Sequence, residues 1–209
     1  MAAKLAAEPA YTRLPVDERR RLLLDAGAKL FAQHSYEEIS MRQIAQAAGV
    51  SKPLLYHYFP SKNDLFLAAV TEAASELQGL IQPAAGGTPV EQLTASLDAY
   101  LGWIEDNGRT WAKLMQSAAV LPEAHQLVEG FRVGTMELVL AELTGKRKPR
   151  PALRTAIRGW LGYMDAAILD WTQARDLPRE ELRDLLLAAF VGALLAAQQV
   201  DPKIKLNLG

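Results

Sequence analysis

Residues 40–62 read SMRQIAQAAGVSKPLLYHYFPSK, and the fold turns on this stretch. Ser40 followed three residues later by Gln43 is a capping-box start, and Ile44, Ala45 and Ala48 give the helix it opens a short apolar face. Gly49 supplies the left-handed residue that stops such a helix, and Val50 plugs the core behind it. Ser51 then caps a second helix, over Lys52 to Tyr58, with Pro53 in the first turn where a missing N–H costs nothing. Two short helices joined by a tight glycine turn form a helix-turn-helix. In the second helix Leu55 and Phe59 lie four apart and point inward. Lys52, Leu54, Tyr56, His57 and Tyr58 make an outer face larger than solubility needs. Lysine and tyrosine donate to phosphate oxygens and Leu54 suits a thymine methyl, so that face fits duplex DNA.

The segment 44–66, IAQAAGVSKPLLYHYFPSKNDLF, resembles the DNA-binding signature of the tetracycline-repressor (TetR) family, and 19–40, RRRLLLDAGAKLFAQHSYEEIS, resembles that family's first helix. The resemblance covers roughly residues 14 to 70; beyond it the chain is similar only in being helical. Carried over residue by residue, it implies phosphate contacts at Tyr56, Tyr58 and Lys62, with His57 on the same face. Base or base-adjacent contacts fall to Arg42, Lys52, Pro53 and Leu54, and Ser40 and Ser51 act as caps that reach phosphate. Relatives often carry glycine at the position of Pro53, which brings backbone close to DNA; proline here departs from that pattern.

With 209 residues, half of them hydrophobic, the chain has enough apolar mass for a sizeable core in one domain or two. It has no cysteine, so disulfides and thiolate metal sites are excluded. MAAKLAAEPAY lacks the apolar run of a secretory signal, and Leu185 to Ala197, uncharged but shorter than the ~20 residues of a bilayer span, reads as a buried helix. The expected location is the cytoplasm, with no membrane partner. The net charge of −1 divides into +3 over residues 1–62 and −4 over 63–209. The basic end is the one with the helix-turn-helix, as a small DNA footprint requires.

Taken in order, 1–13 reads as a disordered arm, and a first helix runs from Val16 to Gln33 with Leu23, Gly27, Leu30 and Phe31 buried. Arg19, Arg20 and Arg21 form a solvated face. Ser61-x-x-Asp64 opens a fourth helix towards Pro83, and Thr88-Pro89-Val90-Glu91 is a capping box for a fifth that stops at Asn107-Gly108. A short sixth carries Trp111 to Ala118, a seventh runs from Pro122 to Gly145, and two more cover Pro151 to Arg175 and Pro178 to Val200. The basic loop 146–150 is read as helix-end cations. No stretch alternates as a strand. The expectation is therefore all-α, about nine helices: a three-helix DNA-binding domain over 1–62, then a ligand-binding and dimerisation bundle over 63–209.

The last two helices are apolar on more than one side, so each needs two neighbours. Gly159, Ala166, Leu187, Val191, Gly192 and Leu195 are the candidate contact of a two-fold homodimer through a four-helix face, which the resemblance also implies. Trp103, Trp111, Met115, Phe131, Met136, Trp160, Tyr163 and Met164 are candidates for a small-molecule effector pocket. Asp165, alone in an apolar stretch, is expected to bond a neighbouring helix. His34, His57 and His125 lie far apart with no His-x-x-x-His pair, and neither a phosphate-cradling glycine motif nor a nucleophile elbow is present. No enzyme activity, metal or cofactor is expected. The favoured function is a repressor that binds an inverted-repeat operator in double-stranded DNA and is released by an apolar or amphipathic ligand. The alternative is a helical ligand-binding or interaction module that keeps the helix-turn-helix as scaffold.

Overall fold

A computed structural model describes residues 15–80, 87–118, 121–145 and 147–206. Among them it has eight helices and no strand: α1 (Val16–Gln33), α2 (Met41–Ala47), α3 (Lys52–Tyr58), α4 (Lys62–Leu80), α5 (Pro89–Ala118), α6 (Pro122–Thr144), α7 (Pro151–Ala174) and α8 (Arg179–Val200). The expected arm over 1–13 and the expected end of the fourth helix near Pro83 lie outside the described residues.

Eight helices stand where nine were expected, because Asn107-Gly108 does not end a helix. α5 runs unbroken through it for 30 residues. Asn107 turns its Nδ2 back to the carbonyl of Trp103, at 3.1 Å, instead of capping a turn. Gly108 is buried, and a Cβ there would sit 3.3 Å from both Arg175 Nη2 and Thr172 Cγ2. This glycine admits a close neighbour; it does not stop the chain.

Two hydrophobic clusters organise the molecule. The first gathers Leu23, Leu24 and Phe31 of α1, Ile39, Met41 and Ile44 around the start of α2, Leu55 and Phe59 of α3, and Leu65 and Phe66 of α4. Ala124 and Val128, in the first two turns of α6, belong to the same cluster. At Gly27 a Cβ would come within 2.9 Å of Leu65 Cδ2, so this glycine lets α1 and α4 touch. The second cluster takes α5, the C-terminal half of α6, α7 and α8, with Leu101, Ile104, Ile157, Leu161, Ile168 and Leu186 at its centre. Met115 packs against both.

α8 is, at 22 residues, long and apolar enough by length and composition to cross a bilayer, which its uncharged segment alone is not. In the fold its Leu182, Leu186, Phe190, Leu194 and Ala197 face inward and are buried in the second cluster. Its other side leaves Leu185, Val191 and Leu195 exposed at 47%, 45% and 60%.

Candidate nucleic-acid interface and body residues

Both helices of the helix-turn-helix are only seven residues long, so their ends decide whether they exist. At α2 the capping box is complete: Ser40 Oγ accepts from the Gln43 N–H, and Gln43 Oε1 accepts from the Ser40 N–H at 2.8 Å. At its far end the Val50 N–H reaches the Ala45 carbonyl and the Gly49 N–H the Gln46 carbonyl, with Gly49 at φ +66°. That is the Schellman closure a left-handed glycine permits. Ser51 Oγ then accepts from the Leu54 N–H at 3.4 Å and starts α3, with Pro53 in its first turn.

With Leu55 and Phe59 buried, α3 turns the rest of its surface out. Lys52, Pro53, Tyr56 and His57 are exposed, Leu54 and Tyr58 half-buried. Lys52 Nζ lies 5.7 Å from the centre of the Tyr56 ring, and the His57 and Tyr58 rings meet edge-on at 5.4 Å. Ser40, Arg42 and Ser51 are exposed beside them. Nine of the ten expected contact residues thus lie on α2, on α3 or at their caps and keep accessible surface.

Lys62 is placed differently. Its Nζ donates to the carbonyls of Tyr36, at 2.7 Å, and Ile39, at 2.9 Å, and stands 4.1 Å from the centre of the Tyr36 ring. Two carbonyls and an aromatic face surround the ammonium, and all belong to the connection that leads into Ser40. Tyr36 in turn stacks near Phe31 and meets Phe66 edge-on at 5.2 Å. Burial, then the Glu123, Glu37 and Asp64 carboxylates, push its phenol above the ordinary tyrosine value. Lys62 thus fastens the head of α4 to the entry of the helix-turn-helix. Arg147 and Arg150 of the basic loop are also engaged locally, Arg147 with the Thr144 and Lys205 carbonyls and Arg150 with Asp201.

The eight pocket candidates divide into three groups. Trp160 and Met164 are buried core: Trp160 Nε1 donates to the Leu186 carbonyl at 3.0 Å, and its ring meets Phe190 at 4.9 Å. Tyr163, 41% exposed, lies outside with Gly159 and Ala166 on the surface of α7. Trp103 and Met115 of α5 and Phe131 and Met136 of α6 are half-buried, and Trp111 is buried with its Nε1 donating to the Tyr100 hydroxyl at 3.0 Å. Of the dimer candidates, Gly159, Ala166, Val191, Gly192 and Leu195 are exposed. Leu187 is half-buried and lines, with Val191 and Leu195, an apolar crevice of about 190 Å³ between α8 and the start of α5.

A polar cluster sits beside these groups. Arg132 of α6 donates through Nε to Asp165 of α7, at 2.6 Å, and through Nη1 to Glu129 at 2.5 Å. Arg158 of α7 bonds the other oxygen of Glu129. The Arg158 and Arg132 hydrogen bonds hold Glu129 below the usual carboxylate range, whereas burial raises Asp165 and Tyr100 above theirs. The expected partner of Asp165 on a neighbouring helix is therefore Arg132. Tyr100, Glu129, Arg132 and Arg158 were not singled out from the sequence, although a Glu and an Arg three apart in an apolar helix were a usable signal. Among the described residues no group of three His, Asp or Glu could hold a metal ion.

Fold and site define an all-helical protein with a helix-turn-helix at one end and a larger helical body at the other. Residues 23–69 match the family model for bacterial regulatory proteins of the tetR family, and 89–193 match that for a tetracyclin repressor-like C-terminal domain. The chain belongs to the TetR family. It is 35% identical over 107 residues to the HTH-type transcriptional activator FasR of Mycolicibacterium smegmatis, a match covering 50% of this chain and 49% of that protein. Over 78 residues it is 37% identical to the HTH-type transcriptional repressor KstR of the same organism, covering 36% and 38%. The chain thus spans about half the length, or less, of these curated relatives. Its fold follows that of a tetR-family transcriptional regulator from Streptomyces coelicolor with a TM-score of 0.83 at 28% identity, covering 91% of this chain and 86% of that one.

Proposed function

We propose that the chain is a DNA-binding transcriptional regulator, a repressor that grips an inverted-repeat operator as a two-fold dimer and lets go when its body binds a small apolar or amphipathic molecule. The observation that carries this is α3, capped at its start and anchored by two buried residues, with Lys52, Tyr56 and His57 presented outward. The working division is a DNA-binding domain over 1–62 and a ligand-binding and dimerising body over 63–209. One such helix reads too few base pairs for specificity, whereas two related by a dyad read half-sites about 34–36 Å apart. The uncovered row of Gly159, Ala166, Val191, Gly192 and Leu195 is the face that pairs the copies. A ligand acts by preferring a body in which the two recognition helices are wrongly spaced. The regulator works in the cytoplasm, on double-stranded DNA, without catalysing a reaction.

Selection of bound duplexes from a random-sequence pool, at near-physiological salt, tests this reading. An enriched inverted repeat, bound with a stoichiometry of two chains, supports it; a protein that enriches nothing and scatters light as a monomer refutes it.

A further inference from the structure

α5, α6 and α7 bring together Tyr100, Glu129, Arg132, Arg158 and Asp165, the tyrosine and the aspartate half-buried and Arg158 at the surface. Its charged members are already matched, Arg132 between Glu129 and Asp165 and Arg158 against Glu129. A ligand charge of either sign would meet a like charge there. What the cluster leaves over is hydrogen-bonding capacity. The Tyr100 hydroxyl accepts from Trp111, and among the described residues no acceptor takes its own proton. Three residues on, along the same helix, Trp103 Nε1 is buried and also without an acceptor. Donors left uncommitted in a dry interior cost free energy that a fitting acceptor recovers. Both side chains are nevertheless only half-buried and keep some accessible surface.

We propose that the body opens at Tyr100 and Trp103 into a cleft that recognises the effector by a neutral oxygen, a carbonyl or hydroxyl, carried on an otherwise apolar molecule, with Tyr100 as the donor to that oxygen. The inference rests on the ligand-relieved reading above and narrows its ligand class. A carboxylate would face Asp165 and Glu129, and an ammonium would face Arg132 and Arg158. A neutral oxygen takes the proton of Tyr100 and disturbs no ion pair. Met115 and Met136, half-buried and packed on the same hydrophobic cluster as Tyr100 and Trp103, are adaptable apolar walls for the remainder of the ligand.

Three probes of equal chain length, 1-octanol, octanoate and octylammonium, separate the possibilities at neutral pH. Binding is read from tryptophan fluorescence without DNA, since Trp111 touches Tyr100, and from release of a labelled duplex that the protein has itself selected. The expected result is a preference for 1-octanol over both ions of about tenfold or more, as a site built for a hydrogen bond gives. Tyr100→Phe lowers octanol affinity about five- to tenfold, the worth of one hydrogen bond, and leaves duplex affinity as it was. Preference for either ion, equal binding of all three, or binding of none overturns the proposal, as does an unchanged octanol affinity in Tyr100→Phe. The head-group comparison is made on the unmodified protein and stands even if that variant folds poorly. Fluorescence that discriminates the probes in a protein selecting no duplex would keep the cleft and remove the regulator.

Discussion

The recognition helices and the body helices are held by different means. α2 and α3 are a third the length of α6, α7 and α8, yet each has a serine cap, and α2 is also closed by a left-handed glycine. The starts of α6, α7 and α8 have no side-chain cap at all. A seven-residue helix does not persist in water unaided, so its place must be specified locally as well as by packing. A helix of more than twenty residues with a buried stripe is fixed by that stripe. The consequence is that the helix-turn-helix end depends on particular residues at particular positions, while the body asks mainly for apolar volume.

Leu55→Ala tests the packing half of this contrast where the effect is largest. Leu55 is fully buried, and its truncation should cost about 2–5 kcal/mol in denaturant unfolding. The loss should fall on DNA binding while ligand binding in the body survives; concurrent loss of both would mean that the two clusters melt as one. Lys62→Met comes next, at about 1.5–3 kcal/mol of stability for hydrogen bonds from a charged donor. It should also weaken operator binding about tenfold with an unchanged salt dependence, because Lys62 positions the head. A salt slope smaller by about one, at unaltered stability, would make it a phosphate contact instead. Ser40→Ala should cost about 1 kcal/mol by thermal unfolding, the usual worth of an N-cap. In the body, Gly130→Ala should raise stability by about 0.5–1 kcal/mol, since a Cβ there meets nothing within 4 Å and alanine is the better helix former. A loss at Gly130 would show the body to be as particular as the head.

The smallest effect is on pH dependence. The folded value of Glu129 lies below its ordinary 4.5, so the stability it lends is complete above that value and drains away as the pH falls through the folded one. Asp165, raised by burial, takes up its proton first in the folded state and opposes that decline. Melting temperatures followed from about pH 5 to about pH 3 should fall less steeply in Glu129→Gln and more steeply in Asp165→Asn.

What the sequence disclosed follows the same division. The limits of α3 and the caps at Ser40, Ser51, Ser61 and Thr88 were legible because a cap is a relation between residues three apart, and those of the uncapped α1 because its buried residues keep helical spacing. Gly108 was misread because its meaning lies in Thr172 and Arg175, which pack against it from far along the chain. The bond from Arg132 to Asp165 spans 33 residues, and those of Lys62 span 26 and 23. No local pattern announces such pairs. Tyr163 was grouped with the interior aromatics because periodicity gives a helix its faces but not which neighbour each face meets. The exposed face of α3 was legible in composition, yet the bonds of Lys62 to the Tyr36 and Ile39 carbonyls were not.

α6 starts among the hydrophobic residues of the head, through Ala124 and Val128, and ends among those of the body, through Leu140 and Leu143. Anyone wishing to exchange the reading heads of two such regulators therefore faces a seam that is not linear in the chain. A splice after α4 would hand the new head a floor made by the old protein. Chimeras that bring along the matching first two turns of α6 should be the ones that stay folded and keep their reading.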